Sequence, residues 1–136
     1  MNCQRFRGRT ATAFLEWMTP SDLRTLAPYT SILSLVLNDK GGILDDAILT
    51  KHSDETFYMV SNAGQRDTVV KWFKDKLKQW NSSERGKVGP VELELMDGWG
   101  LLALQGTRTP TPALRSSPPL PPGFLSFRCH VVSFTQ

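Results

Sequence analysis

Two adjacent carboxylates, Asp45 and Asp46, are the residues of this 136-residue chain whose type and setting most suggest chemistry. They follow a Gly-Gly pair and lie among aliphatic residues, namely Ile43, Leu44, Ile48 and Leu49. Aspartate is disfavoured in β-strands, and an ionised carboxylate among apolar side chains is costly unless it is paired or hydrogen-bonded. Either one of the two therefore binds a ligand, or both are satisfied by other groups of the protein.

The spacing of the two carboxylates excludes one kind of site. Successive side chains of a β-strand point to opposite faces of the sheet. We therefore predict that Asp46 shares one face with Leu44, Ile48 and Thr50, and that Asp45 shares the other with Ile43, Ala47 and Leu49. Carboxylates on opposite faces cannot form one acid–base dyad.

Cysteine and histidine do not supply a metal or hydrolase site. Cys3 and Cys129 lie near opposite ends of the chain, and His52 and His130 add no spacing typical of metal ligands. The run from His52 to Asp54 contains the residue types of a hydrolase triad, but consecutive residues cannot adopt triad geometry. No metal site is predicted.

The charge distribution argues against nucleic acid as a partner. The chain has a formal net charge of +3, but residues 1–106 contain equal numbers of basic and acidic residues. The excess positive charge comes from Arg108, Arg115 and Arg128. Residues 1–106 therefore have no excess of basic residues that would favour binding to a polyanion. No apolar stretch approaches the roughly 20 residues that span a bilayer, so no membrane partner is predicted.

The elements that must position the carboxylates can be read from hydrophobic periodicity and from turn residues. Asn38 to Gly42 is the strongest hairpin signal, because glycine adopts positive φ without penalty. Thr10 or Thr12 could cap the first helix, which Pro20 should end. The predicted strands are 4–8, 31–38, 43–50, 57–62, 91–95 and 99–105, and the predicted helices are 13–18 and 66–80. This order predicts an α+β fold, an antiparallel sheet with helices packed on one face.

The composition changes after residue 106. Six of the nine prolines lie between Pro110 and Pro122, and such a run cannot join a helix or a central strand. We predict two regions, a folded domain over 1–106 and a Pro-rich, disordered tail over 107–136. The prolines could also bind an SH3 or WW module, and residues 124–134 are apolar enough for a strand.

Three motifs together resemble one enzyme family. The segment 38–46, Asn-Asp-Lys-Gly-Gly-Ile-Leu-Asp-Asp, is followed by Val-Ser-Asn-Ala at 60–63 and by Leu-Leu-Ala-Leu-Gln-Gly at 101–106. In this order and at this spacing they resemble the aminomethyltransferases, the tetrahydrofolate-dependent T-proteins of the glycine cleavage system. The resemblance covers about residues 4–106 and is greatest to mitochondrial members.

The resemblance implies a reaction, partners and site residues. The family transfers the one-carbon unit from the aminomethyl group on the lipoyl arm of the H-protein to tetrahydrofolate and releases ammonia. Asp46 matches the family's essential carboxylate that faces the folate, and Asn62 matches an asparagine that lines the same pocket. Leu33 falls where some members have an aromatic folate contact, which implies a pocket wall. A mitochondrial location is implied, although the chain shows no transit peptide.

The chain departs from the family in ways that suggest an alternative function. Members are roughly three times longer, and the similarity stops after Gly106, where threonine follows in place of the usual proline. The chain is therefore expected to be a fragment or a mispredicted gene product, and the alternative function is an inactive domain that at most binds folate or a partner. The related iron–sulfur assembly branch uses a cysteine-containing motif that this chain lacks.

Overall fold

The computed structural model describes the backbone of residues 2–97, 99–102 and 130–133 and the side chains of residues 2–97. Seven strands and three α-helices occur in these ranges, together with a short 3₁₀ helix at Ala63–Gln65. The strands are β1 Asn2–Arg7, β2 Ser31–Leu37, β3 Ile43–Ser53, β4 Thr56–Ser61, β5 Glu92–Leu95, β6 Trp99–Leu102 and β7 His130–Ser133. The α-helices are α1 Ala11–Met18, α2 Arg66–Ser82 and α3 Glu84–Lys87.

Five strands form one antiparallel sheet in the order β2-β3-β4-β1-β5. Strands β2, β3 and β4 follow one another through short turns, whereas β1 lies between β4 and β5. Ala47 of β3 lies opposite Ser61 of β4, and Leu35 of β2 lies opposite Asp46 of β3. These two registers decide which side chains meet near the carboxylates.

The hydrophobic core lies between one face of this sheet and the helices. Phe14 of α1 and Phe73 of α2 are completely buried against Phe6 of β1. The ring centres of Phe6 and Phe73 are 5.1 Å apart, and Phe14 packs edge-on against the ring of Trp80. The opposite face of the sheet is only partly buried, and Leu33 on it is 68% exposed.

The α2 periodicity explains how the helix packs. Its buried residues recur every three to four positions, so they form one stripe that faces the sheet, namely Val69, Phe73, Leu77 and Trp80. The predicted helix is confirmed and continues to Ser82. Lys71, Lys74 and Lys78 are exposed on its other side.

The start of α1 is held by long-range bonds. Thr10 is its N-cap residue but makes no side-chain capping bond, which differs from the predicted cap. Instead its hydroxyl donates to the carbonyl of Gly89 at 2.6 Å and accepts from Trp80 Nε1 at 3.1 Å. Gly8, just before the helix, has φ 144° and approaches Pro90 so closely that a Cβ atom would lie 2.2 Å from the proline carbonyl oxygen. Both contacts join the start of the chain to the segment before β5.

The predicted hairpin between β2 and β3 is confirmed. Gly41 has φ 76°, the conformation that glycine adopts most easily. The side chain of Asn38 organises the turn, because its Oδ1 accepts from the backbone N–H groups of Lys40 at 2.9 Å and Gly42 at 2.8 Å. A register shift follows, in which Val36 pairs with Asp45 and Leu37 pairs with Ile43.

The predicted α+β class, with an antiparallel sheet and helices on one face, is confirmed. Strand β7 lies within the predicted tail and pairs with β6, with Leu102 opposite His130. The other residues after 102 lie outside the described part of the chain, so the two-region division stays a prediction. Within the described ranges no helix is long and apolar enough to cross a membrane, and no cluster of His, Cys, Asp or Glu is arranged to hold a metal ion.

Candidate functional site

The two carboxylates lie on opposite faces of β3, as the alternation predicts. Asp45 is 7% exposed on the core side, with Ala47 and Leu49, whereas Asp46 is exposed on the other side. Ile43 was predicted to share the face of Asp45, Ala47 and Leu49, but it is 65% exposed whereas those three residues are buried. The register shift at Leu37 inserts an extra residue into β3 and turns the start of the strand, which explains the difference.

Asn62 joins the two carboxylates. It directly follows Ser61, which pairs with Ala47, so it lies beside Asp46 at the end of the sheet. Its side-chain Nδ2 donates one hydrogen bond to Asp45 Oδ1 at 2.7 Å and another to Asp46 Oδ1 at 2.8 Å. Asp45 and Asp46 thus bind the same amide group of Asn62. Because this amide lies between them, the two carboxylates do not act as one acid–base pair.

Asp45 also holds the backbone of Asn62. Its Oδ2 accepts from the Asn62 backbone N–H at 3.0 Å, so Asp45 binds both the main chain and the side chain of one residue. Asn62 is also the residue from which the 3₁₀ helix begins, and α2 follows directly. Asp45 therefore fixes the position of Asn62 at the junction between sheet and helix.

Asp46 keeps capacity for a ligand. The residue is exposed, and within residues 2–97 its Oδ1 accepts one hydrogen bond whereas its Oδ2 accepts none. Both N–H groups of the Asn62 amide are used by the carboxylates, which leaves the Asn62 Oδ1 as an acceptor. The exposed end of the site therefore presents acceptor oxygens and suits a ligand that donates N–H groups.

The electrostatics of the site favour a cation. Neither Asp45 nor Asp46 forms an ion pair with a lysine or arginine among residues 2–97. Two carboxylates that share a neutral amide leave negative charge uncompensated by a basic side chain. A positively charged or proton-bearing nitrogen next to Asp46 would be stabilised by this charge.

Leu33 lies on the same sheet face as Asp46 but not next to it. Its strand partner is Ile48, and Leu35 is the β2 residue opposite Asp46. The structure therefore brings Asp46 and Asn62 into contact and places Leu33 one step further along the same face. Leu35, which is half-buried, is the apolar neighbour that the sequence did not single out.

A cleft of about 290 Å³ lies elsewhere, on the helix side of the hairpin. Lys76 in this cleft lies 4.6 Å from the ring centre of Trp72 and 5.3 Å from that of Trp17, and it pairs with Asp39. The ammonium group is thus already satisfied by protein groups. None of the predicted site residues lines the cleft, so it is not the site predicted from the sequence.

The sequence singles out Asp45 beside Asp46 but does not indicate its contact with Asn62. The signal that was available is its place on the buried face, because a buried carboxylate needs hydrogen-bond donors. Which residue supplies them depends on the β3–β4 register, which the sequence does not state.

Comparison with known proteins identifies similar sequences. The GCVT N-terminal domain family matches residues 1–111. A probable mitochondrial aminomethyltransferase of Schizosaccharomyces pombe is 40% identical over 103 residues, which are 76% of this chain and 24% of that protein. Mitochondrial aminomethyltransferases of Flaveria anomala and Saccharomyces cerevisiae are 38% and 34% identical over 100 and 105 residues.

A solved structure has a similar fold. The glycine cleavage system aminomethyltransferase T of Bartonella henselae superposes with a TM-score of 0.60 at 27% sequence identity. The match covers 74% of this chain and 25% of that one. This chain therefore spans about a quarter of the length of the curated relatives that it matches.

Proposed function

This chain belongs to the GCVT N-terminal domain family, and we propose that it supplies the carboxylate that faces tetrahydrofolate in an aminomethyltransferase of the glycine cleavage system. The observation that carries the proposal is the contact between Asp46 and Asn62, which leaves one Asp46 oxygen exposed and unpaired within residues 2–97. The relatives are named mitochondrial, and we infer the same location for this protein.

The proposed reaction moves one carbon atom without a change in oxidation state. The donor is the aminomethyl group that is bound through sulfur to the lipoyl arm of the H-protein, and the acceptor is tetrahydrofolate. The carbon forms bonds to two folate amine nitrogens, while its bonds to the ammonia nitrogen and to the lipoyl sulfur break. The two protons lost by the folate amines balance those gained by ammonia and by the lipoyl thiol.

Asp46 has two tasks in this scheme. Its free oxygen accepts a hydrogen bond from a folate amine and so orients the nitrogen toward the carbon that it attacks. Its charge also stabilises the cationic, iminium-like species that forms as ammonia leaves. Asn62 donates a hydrogen bond to the other oxygen of Asp46, Oδ1. The Asn62 Oδ1 is then available to a hydrogen-bond donor on the folate ring.

Leu33 and Leu35 would form an apolar wall on the same face of the sheet. Leu35 lies opposite Asp46, so a ring bound at the carboxylate would contact Leu35 first and Leu33 beyond it. This apolar surface beside a small number of polar groups is typical of small-molecule sites.

A second candidate function is binding without turnover. The observation that favours it is that the chain spans about a quarter of its relatives, whose remaining length is available to supply further contacts. In that case the chain binds tetrahydrofolate weakly and does not release ammonia from the aminomethyl H-protein.

Calorimetric titration of the chain with tetrahydrofolate tests the site. We expect binding by the unmodified chain and at least a roughly tenfold loss of affinity in Asp46→Asn, which keeps the shape of the side chain but removes its charge. Asp75→Asn is the matched control, because Asp75 is an exposed carboxylate on α2, and we expect it to bind as the unmodified chain does. Equal affinity of the Asp46→Asn and Asp75→Asn variants would contradict the assignment of Asp46.

An ammonia-release assay separates the two candidates. The chain is mixed with tetrahydrofolate and aminomethyl-loaded H-protein, and ammonia is measured over time. Release that depends on Asp46 supports the transferase. Folate binding without release supports the second candidate, and absence of both contradicts the proposed function.

A further inference from the structure

The side-chain amide of Asn62 is held in one of its two orientations. An amide has a donor nitrogen on one side and an acceptor oxygen on the other, whereas an ionised carboxylate only accepts hydrogen bonds. Asn62 Nδ2 lies 2.7 Å from Asp45 Oδ1 and 2.8 Å from Asp46 Oδ1. The reversed amide would direct its oxygen at both carboxylates and lose both bonds, so the carboxylates fix the orientation.

Asp45 is the more firmly bound of the two carboxylates. It is 7% exposed, and its second oxygen accepts from the Asn62 backbone N–H at 3.0 Å. No lysine or arginine within residues 2–97 pairs with Asp45, so both of its oxygens are bound to Asn62 alone there. Asp46 is exposed, so a ligand can compete for it. Asp45 therefore keeps the orientation of the amide when Asp46 binds a ligand.

With the amide fixed, the site presents only acceptor oxygens. These are Asp46 Oδ2 and Asn62 Oδ1, and no donor within residues 2–97 bonds to either atom. A ligand nitrogen that carries a hydrogen gains a hydrogen bond at these oxygens. A bare ring nitrogen is itself an acceptor, so it gains none there and also loses its bond to water.

Reduced and oxidised folates differ in this property. In folic acid the ring nitrogens N5 and N8 carry no hydrogen and accept hydrogen bonds. In tetrahydrofolate both nitrogens carry a hydrogen and donate. The other hydrogen-bonding groups of the two molecules are the same. A site that presents only acceptors therefore favours the reduced ring.

We propose that Asp45 is a positioning residue that makes this site select reduced over oxidised folate, because it holds Asn62 with its side-chain oxygen toward the ligand. The inference rests on the proposed function, since it requires that tetrahydrofolate binds at Asp46. Asp45 does not touch the ligand. Its effect on ligand choice passes through Asn62 and is additional to its effect on stability.

The ratio of two affinities tests this role. The full chain is titrated in a calorimeter with tetrahydrofolate and with folic acid, and we expect the unmodified chain to bind tetrahydrofolate at least roughly tenfold more tightly. Asp45→Asn keeps the shape of the side chain but adds donor N–H groups, so the Asn62 amide can turn over. The ratio should then fall roughly fivefold or more.

Ser34→Ala is the matched control. Ser34 is 4% exposed on the same sheet face as Asp45, and its hydroxyl accepts from Ser21 Oγ at 2.7 Å. The substitution thus removes a buried hydrogen bond that does not involve Asn62. A loss of stability alone lowers both affinities by the same factor, so this variant should keep the ratio of the unmodified chain.

Asn62→Ala tests the same route at an exposed position, where a smaller side chain is compatible with folding. It removes the oriented amide and should lower the ratio by itself. Adding Asp45→Asn to Asn62→Ala should change the ratio no further, because Asp45 acts through that amide. Circular dichroism confirms that each variant is folded, and Asn62→Ala gives a result even if Asp45→Asn does not fold.

The outcomes separate this inference from the proposed function. Tetrahydrofolate binding with a ratio near one in the unmodified chain would overturn the inference alone. An unchanged ratio in Asn62→Ala or in folded Asp45→Asn, or additive effects of the two substitutions, would do the same. Absence of tetrahydrofolate binding by the unmodified chain would instead contradict the proposed function on which the inference rests.

Discussion

Asn62 and Asp46 meet at the ends of two neighbouring strands, with the Asn62 side-chain nitrogen 2.8 Å from Asp46 Oδ1. The second N–H of the same amide binds Asp45 on the opposite face of the sheet. One neutral side chain thus connects a buried carboxylate to an exposed one. The two carboxylates should therefore respond differently to substitution, one through stability and the other through ligand binding.

Replacing Asp45 and Asp46 by alanine should separate these effects. Asp45→Ala leaves the backbone and side-chain N–H groups of Asn62 without their buried acceptor, and we expect a loss of about 1–3 kcal/mol of unfolding free energy. Asp46→Ala removes an exposed group and should change stability by less than about 0.5 kcal/mol. Urea denaturation measures both. Equal destabilisation by the two substitutions would contradict the division of roles.

Lys51 should be necessary for the order of the segment between α1 and β2. Its side chain is 4% exposed, and its ammonium group donates to the Leu23 carbonyl at 3.3 Å and pairs with Asp54 at 2.8 Å. Lys51→Met should cost about 1–3 kcal/mol and increase hydrogen exchange in residues 20–30, because the carbonyl loses its donor. Lys78→Met, at an exposed lysine of α2, serves as the control and should leave exchange in that segment unchanged.

Gly8 should not tolerate a side chain. Its φ of 144° is rarely adopted by other residues, and a Cβ atom would clash with the Pro90 carbonyl oxygen. Gly8→Ala should therefore destabilise the fold by about 2 kcal/mol or more, measured as a lower midpoint of denaturation. Gly64→Ala provides the comparison, because a Cβ atom there meets open space, and it should change stability by less than about 1 kcal/mol. Similar midpoints for the two variants would show that the approach of Pro90 is not a constraint.

Cys3 should make stability depend on pH. Burial raises the pKa of its thiol above the ordinary value of 9.0, and the nearby chain amine partly opposes this. The folded state therefore holds the proton more tightly than the unfolded state. Its contribution to stability is complete below the ordinary pKa and is lost as pH rises through the raised one.

Denaturation at several pH values measures this contribution. The midpoint should fall more steeply with pH above about 8.5 in the unmodified chain than in Cys3→Ala. In a Cys129→Ser background, iodoacetamide should label Cys3 slowly in buffer and quickly in urea. Parallel pH profiles of Cys3→Ala and the unmodified chain would contradict the expected linkage.

The sequence predicted what depends on local periodicity. The alternation of β3 placed Asp45 and Asp46 on opposite faces, and the stripe from Val69 to Trp80 predicted the packing of α2. The Gly41 turn was likewise predictable, because its conformation is set by the turn residues themselves.

The contacts that could not be predicted from the sequence join residues that lie far apart along the chain. Thr10 has the residue type of a helix cap but bonds to Gly89 and Trp80, which are more than 60 positions away. Ile43 was predicted to share the face of Asp45 because the alternation assumes a regular strand, and the register shift beside it cannot be read from spacing. The bond from Asn62 to Asp45 likewise depends on which residues β3 and β4 place opposite each other.

The place of β1 in the sheet has a consequence for how the protein is made. Strand β1 is synthesised before β2, β3 and β4, yet it lies between β4 and β5, with Asn2 opposite Ser61. It must wait for about 60 further residues before its first partner exists, whereas β2, β3 and β4 can pair in turn as they emerge. During synthesis the nascent chain therefore holds an unpaired strand, and joining β1 is the step that connects β5 to the rest of the sheet.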